Sequence, residues 1–368
     1  MKKVVILCPT YNEKGFIADL IDSIFSLQEK VPLWELNLLI IDSHSKDGTI
    51  DIVKKLQKKY SHLYLLETEK EGLGKAYLKG FKYCEEKLNP FLIMEIDGDG
   101  QHDPNKIPEF LKEIEKGADF VVGTRYSKGG SIPKNWGLHR KVLSIGANMT
   151  IKLGFMKLGI TEWTNGYRAI KFWLVKKAFN HLKNYSGYVF QVAFMDFAIK
   201  NNAVMAEIPV DFKERHSGVS KINAFQYSSQ TFLYVFTHSP FIKYVLVGLS
   251  GFAVDFGISY IGIEKVKMAV WVATVISSEM AIVSNFLLNN YWSFAHKKLK
   301  GVNNFILSFL KFNLVSSGSV LIQAGGIQGL ALLFGKKFWY IYKVLIIAFV
   351  IIPYSYILYN KFIWKNKS

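Results

Sequence analysis

Residues 91–104 read FLIMEIDGDGQHDP. An apolar run of the kind that fills a strand buried in a parallel sheet stops at two aspartates one residue apart, with a turn-former and a proline following. Two carboxylates at i and i+2 repel each other and hold still only with positive charge beside them. A divalent cation supplies it, since hard ions such as Mg²⁺ take oxygen ligands, commonly one or two protein carboxylates plus substrate phosphates. An EF-hand also begins D-x-D-G, but counting Asp97 as position one puts Gln101 at position five and Pro108 where the bidentate glutamate belongs.

Working outward, Lys3 to Val122 alternates short apolar runs with amphipathic stretches. VVILC, LNLLIID, LYLLE, FLIMEID and FVVG are separated by IADLIDSIF, IDIVKKLQKKY, KAYLKGFKYCEEK and KIPEFLKEIEK. Strict alternation predicts βαβ units and a mostly parallel, Rossmann-like α/β sheet with helices on both faces. Ligands of such sheets bind beyond the carboxyl ends of the strands. Thr10 to Glu13, Asp42 to Asp47 and Asp97 to Gln101 all fall at that edge.

The two phosphate-binding glycine motifs are excluded. EGLGKAY at 71–77 has Tyr77 where the dinucleotide fingerprint needs its third glycine, and no GxxxxGK[ST] occurs. A nucleotide held here is held through a metal and carboxylates. Cys8 and Cys84, two cysteines in 368 residues, form no disulfide framework and suit a reducing compartment. The basic, apolar start at MKKVVILC is too short for a signal-peptide core and reads as the first strand.

Half the residues are hydrophobic and 15% aromatic, and the distribution is uneven. Acidic residues concentrate before about Arg215, whereas the last third is apolar blocks separated by lysine clusters. Tyr244 to Ile263, Met268 to Leu288, Phe305 to Leu333 and Tyr340 to Phe362 can each cross about 30 Å of hydrocarbon. Asp255 and Glu279 inside them are expensive unless turned to a bundle interior, which makes them functional candidates. FIKYVLVGLSG at 241 is echoed by FLKFNLVSSGS at 309, and NNYWSF at 289 faintly by YNKFIW at 359, so the four helices read as two duplicated hairpins.

Lys297, Lys298 and Lys300, with Lys361, Lys365 and Lys367, outnumber Lys265, Lys267, Lys336 and Lys337 in the opposite loops. That bias places the soluble part and both termini in the cytoplasm. The net charge of +17 fits an anionic lipid bilayer surface better than nucleic acid, because no nucleic-acid motif accompanies it. Residues 132–158 predict a basic helix with an apolar side. KINAFQYSSQTFLYVF, 221–236, spaces Ile222, Phe225, Phe232, Leu233 and Phe236 as an interface helix. The expected domains are therefore 1–220, an amphipathic interface region 221–240 and a membrane part 241–368.

Taken together, PTYNE at 9–13, IIDSHSKDGT at 40–49, GLGKAYLKG at 72–80, IDGDGQHDP at 96–104, GTRYSKGG at 123–130, NWGLHRKVLSIGAN at 135–148, GYVFQ at 187–191 and ERHSGVSKI at 214–222 resemble dolichol-phosphate (polyprenol-phosphate) mannose synthase, a family 2 glycosyltransferase of the GT-A fold. The resemblance covers about residues 1–230. The remainder, with EMAIVSNFLLNNYWSF at 279–294, resembles the GtrA-like domain of four transmembrane helices.

The resemblance implies an inverting transfer of mannose from GDP-mannose to polyprenyl (dolichyl) phosphate on the cytoplasmic membrane face, with Mg²⁺ or Mn²⁺. It assigns Asp97, Asp99 and Gln101 to the metal and donor diphosphate, Gly98 with Pro9, Tyr11 and Glu13 to the nucleotide sugar, and Asp42 to the base or ribose. Arg125, Arg140, Arg215 and Lys221 would meet the acceptor and donor phosphates. His102 and His216 read as structural.

This chain departs from the pattern at Ser43, where relatives have a second aspartate; at Ala193, where they carry glutamate, with Asp196 a possible substitute; and at Glu162, near a usual aspartate. The alternatives are a UDP-glucose-dependent polyprenyl-phosphate glucosyltransferase, and a lipid-linked-sugar translocator or membrane anchor whose soluble domain only binds its ligand.

Overall fold

The computed structural model describes residues 1–133, 136–187, 189–212 and 224–365. It divides into two compact units, Met1–Val235 and Phe236–Ser368. In the first, β1 (Lys2–Thr10), β2 (Trp34–Asp42), β3 (Leu63–Glu67), β4 (Leu92–Glu95) and β5 (Phe120–Thr124) are the five expected strands. Helices α1 (Ile17–Phe25), α2 (Thr49–Leu56), α3 (Leu73–Tyr83) and α4 (Ile107–Glu115) return the chain between them. The sheet order is β3-β2-β1-β4-β6-β5-β7, and β1 pairs in parallel with both β2 and β4.

Two strands were not expected from the sequence. β6 (Arg168–Lys171) lies antiparallel between β4 and β5, and β7 (Met205–Pro209) runs parallel along β5. β6 is four residues long with a cation at each end, too short for periodicity to declare it. Its insertion makes the sheet mixed, as the mostly parallel reading allows.

Alternation along β1 sorts its side chains to two layers. Val4, Ile6 and Cys8 join Ile17, Leu20, Ile21 and Ile24 of α1 and Ile107, Phe110 and Leu111 of α4 in one buried cluster. Leu7 faces the opposite layer, where α3 approaches so closely that a Cβ on Gly80 would stand 2.5 Å from Ile41 Cδ1. Any side chain there would have to displace the tip of Ile41 for the helix to keep its seat on the sheet.

The rest of this unit is helical: α5 (Leu138–Gly154), α6 (Phe172–Leu182), α7 (Val189–Lys200) and α8 (Ala224–His238). The helix α8 occupies most of the stretch read as an interface helix. Its Thr231, Tyr234 and Val235 are buried and its Phe232 and Leu233 exposed.

Among its described residues the second unit holds four helices long and apolar enough to cross a membrane: Pro240–Lys265, Val270–Ser293, Val302–Phe334 and Ile341–Ile363. The two echoed hexapeptides adopt the same turn. The Phe294 amide donates to the Asn289 carbonyl and the Trp364 amide to the Tyr359 carbonyl, each an i to i+5 bond of 2.8 Å. Their last rings, Phe294 and Trp364, stack on one another at 4.6 Å.

Candidate active site

Three loops meet at the carboxyl ends of β1, β2 and β4. The β1 and β2 loops are laced together by short polar side chains. The Thr10 hydroxyl and the Ser45 hydroxyl both donate to Asp42 Oδ2, at 2.8 and 2.7 Å, while the Ser45 amide donates to Oδ1 at 2.7 Å. The Asn12 amide donates to Ser45 Oγ, the Lys46 amide to Asn12 Oδ1, and the Lys14 amide to Asp47 Oδ2. Asp42 is fully buried and spends its oxygens on its own loops, so what it supplies to the site is the shape of the cleft. Asn12 and His44 sit at positive φ, which these turns require and which asparagine and histidine tolerate better than branched residues.

The acidic tip lies against β1. A Cβ on Gly98 would stand 3.0 Å from Thr10 Cγ2 and 3.3 Å from Cys8 Sγ, so a side chain at residue 98 would crowd the tip as it folds down onto Cys8, Pro9 and Thr10. Asp99 and Gln101 are buried, and the Gln101 amide donates to Asp99 Oδ1 at 3.1 Å. The side chain of Asp97 is one-third exposed, at 33%.

The Asp97 amide donates to His102 Nδ1 at 3.0 Å, leaving Nε2 to donate to Asn165 Oδ1, also at 3.0 Å. Asn165 is itself fixed by donating to the Gly123 carbonyl. His102 is thus the neutral tautomer, buried and stacked on Tyr167, a support for the tip as the sequence reading had it.

The electrostatics match a cation site. Burial first, and then the charges of Asp97, Glu13 and Asp99, push the Cys8 thiol well above its usual range. Behind the tip, burial lifts the Glu95 carboxyl to about 7 against the pull of Arg168 and of the Gln191 amide bonded to it at 2.8 Å. Among the described residues no three His, Cys, Asp or Glu side chains converge as a closed metal cage. Two carboxylates and an amide oxygen, all hard donors at a solvent-reached tip, instead suit an ion that completes its shell with substrate phosphates. Asp97, Asp99 and Gln101 would hold it.

Tyr11 and Glu13 lead away from β1 beside this tip. Lys70 places its ammonium 3.6 Å from the centre of the Tyr11 ring, a cation that no sequence motif had singled out. Its place in the run ETEKEGLGK, just after β3, was the available signal.

The far side of the edge is basic. Arg125, buried after β5, grips Glu162 with a two-pronged contact, Nε to Oε2 at 2.8 Å and Nη2 to Oε1 at 3.0 Å, and Nη2 also reaches Thr164 Oγ1. Burial alone would raise Glu162, yet the Arg125 charge and the Thr164 bonds outweigh it and hold the carboxyl below its usual range. Glu162 is therefore the buried partner of Arg125, a pairing the sequence did not reveal across 37 residues.

Arg140, in the first turn of α5, stacks its guanidinium on Trp136 at 3.9 Å, and Arg125 lies 5.9 Å from the same ring. The structure thus brings Arg125 and Arg140 together around one indole. The helix that carries Arg140 shows Leu138, Val142, Ile145, Met149 and Leu153 exposed at helical spacing, and on its inner side Asn148 Oδ1 accepts from the Trp163 amide. Arg215, His216 and Lys221 lie outside the described residues. Asp196 does not stand in for the glutamate missing at Ala193, because it accepts from Tyr234 and Lys200 at 2.8 and 2.7 Å.

Residues 5–183 match glycosyl transferase family 2, and residues 243–364 match the GtrA/DPMS transmembrane domain. A polyprenol monophosphomannose synthase of Mycolicibacterium smegmatis is 32% identical over 224 residues, 60% of this chain and 82% of that protein. The chain belongs to glycosyltransferase family 2, among the polyprenol-phosphate mannose synthases.

A dolichol-phosphate mannosyltransferase of Pyrococcus furiosus is 28% identical over 319 residues, covering 83% of this chain and 85% of its own, so that likeness runs into the membrane helices of this glycosyltransferase. An undecaprenyl-phosphate mannosyltransferase of Micrococcus luteus is 32% identical over 222 residues, 60% of this chain and 88% of that one. Among solved structures, the glucosyl-3-phosphoglycerate synthase of Mycobacterium tuberculosis is similar with a TM-score of 0.47 and 17% identity, over 64% of this chain and 77% of its own. A likeness that distant says nothing of ligands. With its GtrA/DPMS domain and four apolar helices, this GT-A mannosyltransferase is an integral membrane protein.

Proposed function

We propose that this enzyme transfers mannose from GDP-mannose to polyprenyl phosphate, with inversion at the anomeric carbon and a requirement for Mg²⁺ or Mn²⁺. The observation that carries this is the pairing, on one sheet edge, of an acidic tip (Asp97, Asp99, Gln101) with a basic, membrane-adapted flank (Arg125, Arg140 and the exposed apolar stripe of α5). A donor with a diphosphate leaving group suits the first. An anionic lipid head suits the second.

An oxygen of the acceptor phosphate attacks C1 of the sugar while the bond from C1 to the donor diphosphate breaks, and the electron pair leaves with the diphosphate. A bound divalent ion neutralises that developing charge. Asp97, Asp99 and Gln101 hold the donor end, with Pro9, Tyr11 and Glu13 lining the nucleotide and Asp42 shaping its loops. The acceptor is already anionic at neutral pH, so no general base is required. It must be brought against another anion, and the charges of Arg140, Arg215 and Lys221, beside an Arg125 held in place by Glu162, position and neutralise it. This chemistry calls for no catalytic histidine, and His102 serves as a buried support.

The domains are 1–220 for catalysis, 221–240 for the interface and 241–368 for the membrane anchor, with the catalytic part and both termini in the cytoplasm, as the lysine distribution favours. The test is to incubate membranes containing the protein with labelled GDP-mannose or UDP-glucose and added polyprenyl phosphate. Label entering the lipid from GDP-mannose alone supports the reading. Label from UDP-glucose alone, or none removed by chelating the metal, overturns it.

A further inference from the structure

The membrane unit contains a feature that anchoring does not require. Its first two spans face each other along antiparallel stripes of every third or fourth residue. Gly262 approaches Ala273, so that a Cβ there would stand 3.0 Å from the Ala273 Cβ, and Gly251 packs on Asn285. The residues between these contacts on the first span are Ser259 and Asp255. The Ser259 hydroxyl donates to Ser277 Oγ at 2.6 Å, the Ser277 hydroxyl to Asp255 Oδ1 at 2.6 Å, and the Ser278 hydroxyl to the same Oδ1 at 3.2 Å.

Ser277 is fully buried, and Asp255 lies near the middle of the span Pro240–Lys265. Further along the seam, the Asn285 side-chain oxygen is buried with no hydrogen-bond partner. A carboxylate and three hydroxyls therefore converge between two helices at membrane depth.

Small residues alone would close this seam, and a neutral polar residue would cross-link it at lower cost than a charge. The duplicated hairpin makes the same point. Matching Phe241 with Phe309 sets Asp255 against Gln323, and matching Asn289 with Tyr359 sets Ser277 and Ser278 against Ile347 and Ala348. The second hairpin ends in the same wide turn without the carboxylate or the hydroxyl pair, so the hairpin fold does not demand them.

We propose that Asp255, Ser259, Ser277 and Ser278 form an intramembrane site for a dehydrated monovalent alkali cation. The donors are all oxygens, the kind that replaces the hydration shell of an alkali ion. One carboxylate balances one positive charge, whereas a divalent ion would leave an uncompensated charge near the membrane centre and an anionic lipid head would be repelled. No lysine, arginine or histidine forms an ion pair with Asp255 among the described residues. The proposal is independent of the sugar-transfer reading and concerns different residues.

The experiment follows thermal unfolding of the full-length protein in lipid nanodiscs at constant ionic strength, with choline replaced by Na⁺ or K⁺ at constant pH. A tenfold excess of cation over its dissociation constant raises the midpoint by about 3 °C. Asp255→Asn keeps an acceptor for both serines, so it retains any cross-linking role while abolishing the cation shift. Ser277→Ala leaves the carboxylate and moves the shift to about tenfold higher cation concentration, and it carries the test should Asp255→Asn fail to fold. Mannosyl transfer at the wild-type rate certifies each variant as folded. No shift with either alkali cation, or an equal shift in Asp255→Asn, overturns the site. So does a midpoint that answers to pH alone in the wild type, which would mark Asp255 as a proton carrier.

Discussion

The two halves of the catalytic edge are built on opposite principles. On the proposed donor side, the loops after β1 and β2 are held by hydroxyls and backbone amides around Asp42 and Asp47. On the proposed acceptor side, a buried ion pair, Arg125 with Glu162, lies near an arginine stacked on an indole, and the helix that bears that arginine turns a row of apolar side chains outward. A rigid polar cradle suits a ligand that enters from water and always has the same shape. A charged platform beside an apolar stripe suits one that arrives from a bilayer by its head. On the proposed assignment of the two sides, the difference teaches that specificity for the donor and access for the acceptor are separable in this fold.

That separation can be broken most severely at the acidic tip. Asp99→Ala lowers transfer by about a thousandfold, the several kcal/mol expected from losing the support for the leaving diphosphate, while circular dichroism and the melting midpoint stay near wild type. Residual activity above a tenth would remove this tip from the mechanism. Next, Glu162→Gln leaves Arg125 buried beside a neutral partner and costs about 3 kcal/mol of stability, read from chemical denaturation. Because the folded Glu162 titrates below its ordinary value, the pair's contribution is fully present above the unfolded value, about 4.3, and is lost as pH falls through the lower folded one. The wild type and Glu162→Gln should therefore converge in stability in strong acid. Kinetically, the acceptor KM rises more than the donor KM.

Much of this was legible beforehand for a physical reason. Five strands and the helices between them are local patterns, and each carries its own period in the chain. The four membrane helices are likewise declared by composition and length. What stayed hidden depends on residues far apart in sequence. β6 is a strand only because β4 and β5 flank it, and Glu162 is a partner only because β6 delivers the preceding loop to Arg125. Asp42 illustrates the other limit, since an aspartate at a strand end looks like a ligand contact until Thr10 and Ser45 are seen to occupy it.

Smaller effects sharpen the contrast between the halves. Ser45→Ala removes the hydroxyl that joins Asn12 to Asp42 and costs about 1–2 kcal/mol. It should raise the donor KM several-fold and leave the acceptor KM unchanged in steady-state assays. Met149→Asp, on the outward row of α5, should do the reverse. It should weaken use of a long polyprenyl phosphate a few-fold, through loss of about 1–2 kcal/mol of apolar contact, and spare a short water-soluble acceptor. If both variants altered the same KM, the division of labour would fall.

Trp364 has a practical consequence of its own. It is fully buried, stacks on Phe294, lies 5.7 Å from Phe286, and donates its indole proton to Asn290. It is the clasp at which one hairpin fastens to the other, so a stop codon or a rigid purification tag placed just ahead of it would unbuckle the whole bundle. Engineers working on this protein should extend beyond that tryptophan and never trim into it.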